Sequence, residues 1–227
     1  MMMGYHGIVQ TRHQASPAPA VTMLHRRGQR LSFSTLVMLL SALGMMALLS
    51  GCWTKSIHPI YSDDTLVFDE RLIGSFEDDE GIWTVSRDGS DAYSNSYRAV
   101  HVDEDGLVSE FEAHLAEIND ALILDVFPED WPDEASEMVG QFVVPVHWFF
   151  RVDAMDDVLI LAAMDSEWLE DHLKAFPETI GHFFVDDVVV LTAETERLQA
   201  FVGAHVRNAD AWSDPVEYER LPVSERQ

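Results

Sequence analysis

The chain has few basic residues and a single cysteine, and each shortage argues against a class of protein. Its 227 residues contain 14 Lys and Arg against 40 Asp and Glu, for a net charge of −26. A nucleic-acid-binding protein needs a basic surface to contact the phosphates, so we expect no nucleic-acid partner. The lone cysteine, Cys52, can form neither an intramolecular disulfide nor a cysteine-based zinc site.

Acidic residues are absent from the first 62 positions, which instead have the pattern of an export signal. Arg26, Arg27 and Arg30 form a basic cluster, and a largely apolar run follows from Leu31 to Leu49. A basic cluster, an apolar stretch and then small residues is the order of a secretory signal peptide. An uncleaved membrane anchor is the alternative, because these 19 residues approach the ~20 that span a bilayer.

The apolar run ends in Leu49-Ser50-Gly51-Cys52, which resembles the lipobox of bacterial lipoproteins. The resemblance implies cleavage after Gly51, and a mature chain that begins at Cys52 and carries diacylglycerol and further acyl groups such as palmitate. Several acyl chains would hold the protein durably in an envelope membrane, since one chain alone binds weakly. Trp53, rather than Asp, follows the cysteine. In a host with two membranes, the resemblance therefore implies sorting to the outer membrane.

The remaining chain predicts one domain between two flexible segments. A signal peptide usually has 15–30 residues, so a start at Met23 fits better than one at Met1. We divide the chain into a disordered or untranslated segment 1–22, a signal peptide 23–51, a tether 52–65, a single β-rich domain 66–212 and a loose tail 213–227.

Short apolar runs between turn signals predict an antiparallel meander. Glu80-Gly81, Asp88-Gly89 and Asp105-Gly106 supply residues that tolerate the positive φ of tight hairpins. The predicted strands lie in Ile82–Arg87, Ser94–Asp103, Leu107–Ile118, Leu122–Phe127, Val143–Val152, Val158–Ala163, His182–Val185 and Val188–Thr192.

Two of these runs indicate what covers the sheet. In the third run, one face holds apolar residues at period two, and the other holds Glu110, Glu112 and His114. The apolar face comprises Leu107, Phe111, Ala113 and Leu115. By contrast, Val143–Val152 is apolar on both faces, which predicts a strand that is covered on both sides.

Two further segments have the spacing of amphipathic helices, Ser166–Phe176 and Thr195–Arg207. The first begins at a Ser suited to capping and stops before Pro177. The sequence therefore predicts a β-rich α+β fold, a curved antiparallel meander of about seven or eight strands, open or barrel-like, with two helices packed on it.

Segments spread over residues 58–205 resemble a family of uncharacterised bacterial envelope lipoproteins, and this resemblance implies architecture and envelope location only. The segments are His58-Pro59-Ile60-Tyr61, Leu66-Val67-Phe68-Asp69, Ile73-Gly74-Ser75-Phe76, Phe111-Glu112-Ala113-His114-Leu115, Pro145-Val146-His147 and Val190-Leu191-Thr192-Ala193-Glu194-Thr195. Gly74-Ser75-Phe76 is also similar to the Gly-x-Trp of lipocalins, with Phe76 in place of Trp.

No linear motif for catalysis or nucleotide binding is present, so we assign no catalytic residue, metal site or cofactor. His101, His114 and His147 lie in predicted strands and could meet as metal ligands; single histidines with local hydrogen bonds are the favoured interpretation. Acidic clusters such as Asp78-Asp79-Glu80 lack the spacing of a calcium loop and predict a solvated surface.

The aromatic residues Trp83, Tyr97, Trp148 and Phe150 lie at strand positions, where they predict a core or the lining of an apolar cavity. The favoured function is a lipid-anchored, non-enzymatic binding or interaction domain, with a protein or a small apolar molecule as its partner. The alternative is an envelope hydrolase whose catalytic residues come from separated strands.

Overall fold

A computed structural model describes residues 54–89, 95–129, 144–185 and 188–222, which all belong to one compact unit spanning residues 50–227. The strands are β1 (Lys55–Ser56), β2 (Leu66–Val67), β3 (Gly74–Asp78), β4 (Gly81–Arg87), β5 (Ser96–Asp103), β6 (Val108–Ile118), β7 (Ala121–Pro128), β8 (His147–Met155), β9 (Val158–Ala163), β10 (His182–Val185), β11 (Val188–Leu191) and β12 (Val216–Arg220). The helices are α1 (Ser166–Ala175) and α2 (Thr195–His205), with 3-10 turns at Glu70–Leu72 and Ala209–Ala211.

Eight of these strands close into an antiparallel barrel. Strands β3 to β9 are each paired with the next one along the chain, and β12 pairs with both β9 and β3. A register shift between Val152 and Ala154 interrupts the β8–β9 ladder, and such irregularities increase the bend of a strand. The predicted β-rich α+β fold with a curved antiparallel meander is confirmed, and the meander is closed.

The period-two pattern of β6 correctly identifies its interior face. Ala113 and Leu115 point into the barrel and are 2% and 0% exposed. Leu107 lies before the strand, which begins at Val108, and it is 67% exposed. His114, on the opposite face, is nonetheless buried, because other parts of the chain cover the outside of the barrel here.

A second hydrophobic core lies on the outer side of β6 to β8. It joins outward-facing Ile123 and Phe149 of the barrel to the two helices and to Ile60 of the N-terminal segment. Phe149 points outward into this core while Phe150 lines the interior. Strand β8 is therefore covered on both sides, as its two apolar faces predict.

Both predicted helices form, with small differences at their ends. Helix α1 is capped by Asp165, not Ser166: its carboxylate accepts a hydrogen bond of 2.7 Å from the Trp168 N–H. Helix α2 ends at His205, two residues before the predicted end. The chain then turns into the 3-10 segment, where the Asn208 side chain accepts from the Asp210 N–H.

The structure differs from the predicted tether and tail. Residues 54–65 of the predicted tether pack against the barrel, with Ile60 fully buried. Residues 216–220 of the predicted tail form β12, which closes the barrel. Glu217 and Glu219 point to the solvent side, so the charge of this segment hid its alternation. Strand pairing outweighed that local polarity.

The segments 1–22 and 23–51 and the lipidation site at Gly51 and Cys52 lie outside the described residues. Within the described ranges, no helix has the length and apolarity required to traverse a bilayer.

Candidate functional site

An apolar cavity occupies the inside of the barrel. Its volume is about 50 Å³. One water needs only ~10–15 Å³, so the cavity has room for a larger group. It is lined by Leu72, Trp83, Val85, Ala99, Ala113, Leu124, Val126, Trp148, Phe150, Leu159, Leu161 and Tyr218.

One end of the barrel, here called the base, is closed by side chains. The guanidinium of Arg220 lies 4.5 Å from the centroid of the Phe76 ring, and Nη1 donates to the Ile73 carbonyl at 2.9 Å. Its other nitrogens donate to the carbonyls of Arg71, Met155 and Asp156. These contacts tie β12, β3 and the β8–β9 turn together beneath the cavity.

The opposite end, here called the mouth, carries the β3–β4 and β5–β6 turns. Inward-facing Trp83, His101 and Phe111 are partly exposed there. The Trp83 ring centroid lies 4.6 Å from that of His101 and 5.4 Å from that of Phe111. Gly81 has φ +148° and a Cβ there would lie 2.9 Å from His101 Nε2, so only glycine fits beside this ring.

The β3–β4 turn places carboxylates at the mouth. Asp78 Oδ1 accepts hydrogen bonds from the Glu80 and Gly81 N–H groups, at 3.0 and 3.2 Å. Burial, followed by the charges of Asp78 and Glu80, raises the pKa of Tyr218. The cavity wall therefore ends in a neutral phenol within the field of two carboxylates.

A buried acid–histidine pair lies on the outer surface of the barrel rather than in the cavity. Asp125 Oδ1 is 2.7 Å from His147 Nδ1, and Asp125 Oδ2 accepts from the Ile60 N–H at 2.9 Å. Asp125 is 1% exposed. The pair holds the N-terminal segment on the barrel wall and has no access to a ligand inside it.

Two aromatic rings stack beside this pair. Tyr61 lies on His114 with ring centroids 3.9 Å apart. Burial lowers the pKa of His114 despite the opposing effect of the nearby carboxylates, mainly Glu112. Burial together with the charges of Asp125 and Glu112 raises the pKa of Tyr61 to about 12. Both rings are therefore neutral at pH 7 and pack as apolar groups.

The three strand histidines considered as metal ligands do not come together. His101 faces the interior, whereas His114 and His147 lie outside on either side of Asp125. Across the part of the chain that the structure describes, no three His, Cys, Asp or Glu side chains are grouped so that they could hold a metal ion.

The sequence identified part of the cavity. Trp83, Trp148 and Phe150 line it, but Tyr97 is fully buried and exchanges hydrogen bonds with the Asp69 backbone through its hydroxyl. The cavity residues that the sequence analysis missed include Ala99 and Tyr218. Alanines at interior positions of neighbouring strands signal unfilled space, whereas Tyr218 was hidden in the predicted tail.

Comparison of the chain with protein-family models, curated proteins and solved structures finds no match.

Proposed function

We propose that this chain is a lipid-anchored envelope protein whose barrel binds a small apolar or amphiphilic molecule without transforming it. The observation that carries the proposal is the apolar cavity, which has the Arg220 contacts at its base and is partly open to solvent. Such a concave, mostly apolar pocket with few polar groups is the usual form of a small-molecule site.

The lipid anchor in this proposal rests on the sequence before Thr54. Thr54 is 3% exposed, and its hydroxyl donates to the Met164 carbonyl at 3.3 Å. Two residues span at most about 7 Å, so a lipid on Cys52 would be attached close to the barrel wall. We infer a domain held near the membrane surface, where apolar molecules are available.

The hydrolase alternative has less support. A hydrolase acting on a molecule in the cavity would need a base or nucleophile that reaches it. The Asp125–His147 pair has suitable chemistry but faces the outer core. Among the described residues that line the cavity, only Tyr218 and the two tryptophans carry a polar atom on the side chain.

Filling the cavity tests the proposal. We expect the neutral dye N-phenyl-1-naphthylamine to bind the wild-type protein saturably, with energy transfer from Trp83 and Trp148. Ala99→Leu places a larger side chain in the cavity wall and should weaken dye binding at least about tenfold. Fluorescence titration measures both affinities.

Ala200→Leu, on the exposed surface of α2, is the matched control and should bind as wild type does. Thermal unfolding of all three proteins checks that Ala99→Leu folds. Absence of saturable binding to the wild-type protein, or equal binding by a folded Ala99→Leu variant, would disprove the proposed cavity function.

A further inference from the structure

We propose that the cavity selects amphiphiles with a cationic head group, the apolar tail lying in the barrel and the head at the mouth. This inference rests on the proposed function and adds the chemical class of its ligand. Three features of the described residues carry it: the carboxylates of the turns at the mouth, the aromatic rings beside them, and the arginines at the base, which are already engaged in other contacts.

Asp78 is two residues from the buried Phe76 in β3, so the two share one face of the strand. The Asp78 carboxylate caps the β3–β4 turn, and its charge and that of Glu80 are felt by Tyr218 of the cavity wall. The two mouth turns, 78–81 and 103–107, contain six acidic residues and no basic residue. A cation at the mouth would be attracted, and an anionic head repelled, in a site with low-dielectric walls that focus the field.

Aromatic side chains at the mouth supply a second attraction for a cation. Trp83 and Phe111 point inward and remain partly exposed beside His101. An ammonium group over the face of an aromatic ring is attracted by the negative face of the ring, most strongly with Trp. A quaternary ammonium head suits this combination because it is bulky and weakly hydrated.

The base offers no compensating site for an anionic head. Arg220 is engaged there with four backbone carbonyls. Arg71 is paired with Asp69 and Asp156, and the Arg87 guanidinium lies 3.7 Å from the Phe68 ring centroid. An anionic amphiphile entering from the mouth would pass the carboxylates and meet only arginines already engaged in these contacts.

Three probes with the same decyl chain test the proposal. Decyltrimethylammonium, decanol and decyl sulfate are used below their aggregation limits to displace N-phenyl-1-naphthylamine from the wild-type protein. We expect the cationic probe to bind at least about tenfold more tightly than the anionic one, with decanol between them. Salt at about 0.5 M should narrow the difference, because it screens charges at the mouth.

The protein as a whole is acidic, so the effect of its overall charge must be distinguished from the effect of the carboxylates at the mouth. The double variant Asp78→Asn, Glu80→Gln removes two charges at the mouth, and the asparagine amide oxygen can still accept the turn hydrogen bonds. Asp171→Asn, Glu178→Gln removes two exposed charges elsewhere and is the matched control. We expect the ratio of the cationic to the anionic affinity to fall at least about fivefold in the mouth variant and less than about twofold in the control.

The outcomes separate the two proposals. Failure of every probe and of the dye to bind would disprove the cavity function itself. Equal binding of the three decyl probes would leave that function standing and disprove the cationic preference. Equal effects of the mouth and control variants would assign the preference to the overall charge and overturn the role of Asp78 and Glu80.

Discussion

His205 faces His172 between the two helices, in surroundings that disfavour a positive charge on the His205 ring. Their ring centroids are 5.1 Å apart, and each lies 4.8 Å from that of Trp168. Burial, and to a lesser degree the neighbouring His172, lowers the pKa of His205 below 6.5. Within the described ranges, the buried Nε2 of His172 has no hydrogen-bond partner. The contact between the helices is therefore favoured by a neutral His205 imidazole.

Acidification should weaken this contact. The unfolded chain takes up a proton on His205 near pH 6.5, whereas the folded protein resists it, so stability is lost as the pH falls below that value. We expect His205→Phe, which keeps a ring but cannot titrate, to reduce the loss of unfolding free energy between about pH 7.5 and pH 5. Urea unfolding at each pH measures the difference, which one proton limits to about 1.4 kcal/mol per pH unit. Identical pH profiles for the two proteins would contradict this account.

Among the elements, β12 shows how a polar segment can complete a sheet. It bonds to β9 and β3, and Arg220 at its end adds the contacts that close the base. Strand β10 shows the opposite case. It lies at the edge of the sheet, and its Phe183 and Phe184 remain 45% and 40% exposed although the segment is apolar. Position in the sheet, rather than polarity, decides that β12 is paired on both sides and β10 on one.

Loss of the Arg220 guanidinium should destabilise the barrel. Arg220→Met keeps the length of the side chain but removes the donors to four carbonyls and the contact with Phe76. We expect a loss of about 2–4 kcal/mol in the free energy of unfolding, because hydrogen bonds from charged donors are worth about 1.5–3 kcal/mol each and do not add fully. Chemical denaturation measures it.

Arg207→Met is the control for this substitution. Its side chain is 80% exposed and pairs with Asp120 at 3.3 Å, so its loss should change stability by less than about 0.5 kcal/mol. Equal stabilities of the Arg220→Met and Arg207→Met proteins would show that the contacts at the base do not hold the barrel closed.

The whole molecule combines an interior cavity with an outer core. The barrel encloses the cavity, while the helices, β11 and the N-terminal segment cover one side of it. The segment nearest Cys52 is thus part of the folded unit, with Thr54 and Ser56 both buried.

Lipidation is a prediction about the entire chain, and the mass of the protein tests this prediction. We expect wild-type protein extracted from membranes to have the mass of residues 52–227 plus acyl groups. Cys52→Ser removes the acceptor thiol and should lose the acyl mass and retain the residues before position 52. Native mass spectrometry measures both forms, and a wild-type protein that keeps its N-terminal segment without acyl groups would show an ordinary membrane anchor.

Local patterns in the sequence determined the kinds of element and the faces that they bury. Apolar runs between turn signals predicted the strands from β4 to β9, and period-two alternation identified the interior face of β6. The spacing of Leu169 and Leu173 in α1, or Leu198 and Val202 in α2, predicted the helices. These features are readable because turn geometry and side-chain direction depend on residues close in the chain.

Only the tertiary structure decided closure, the cavity and the partners of buried polar groups. Phe76 pairs with Arg220 although the two residues lie far apart in the chain. Ala99 and Ala113 leave unfilled space only when the barrel brings their strands around a common interior. Asp125 is indistinguishable in the sequence from the other acidic residues until folding places it beside His147. Each of these features depends on contacts between distant segments, and no local pattern specifies them.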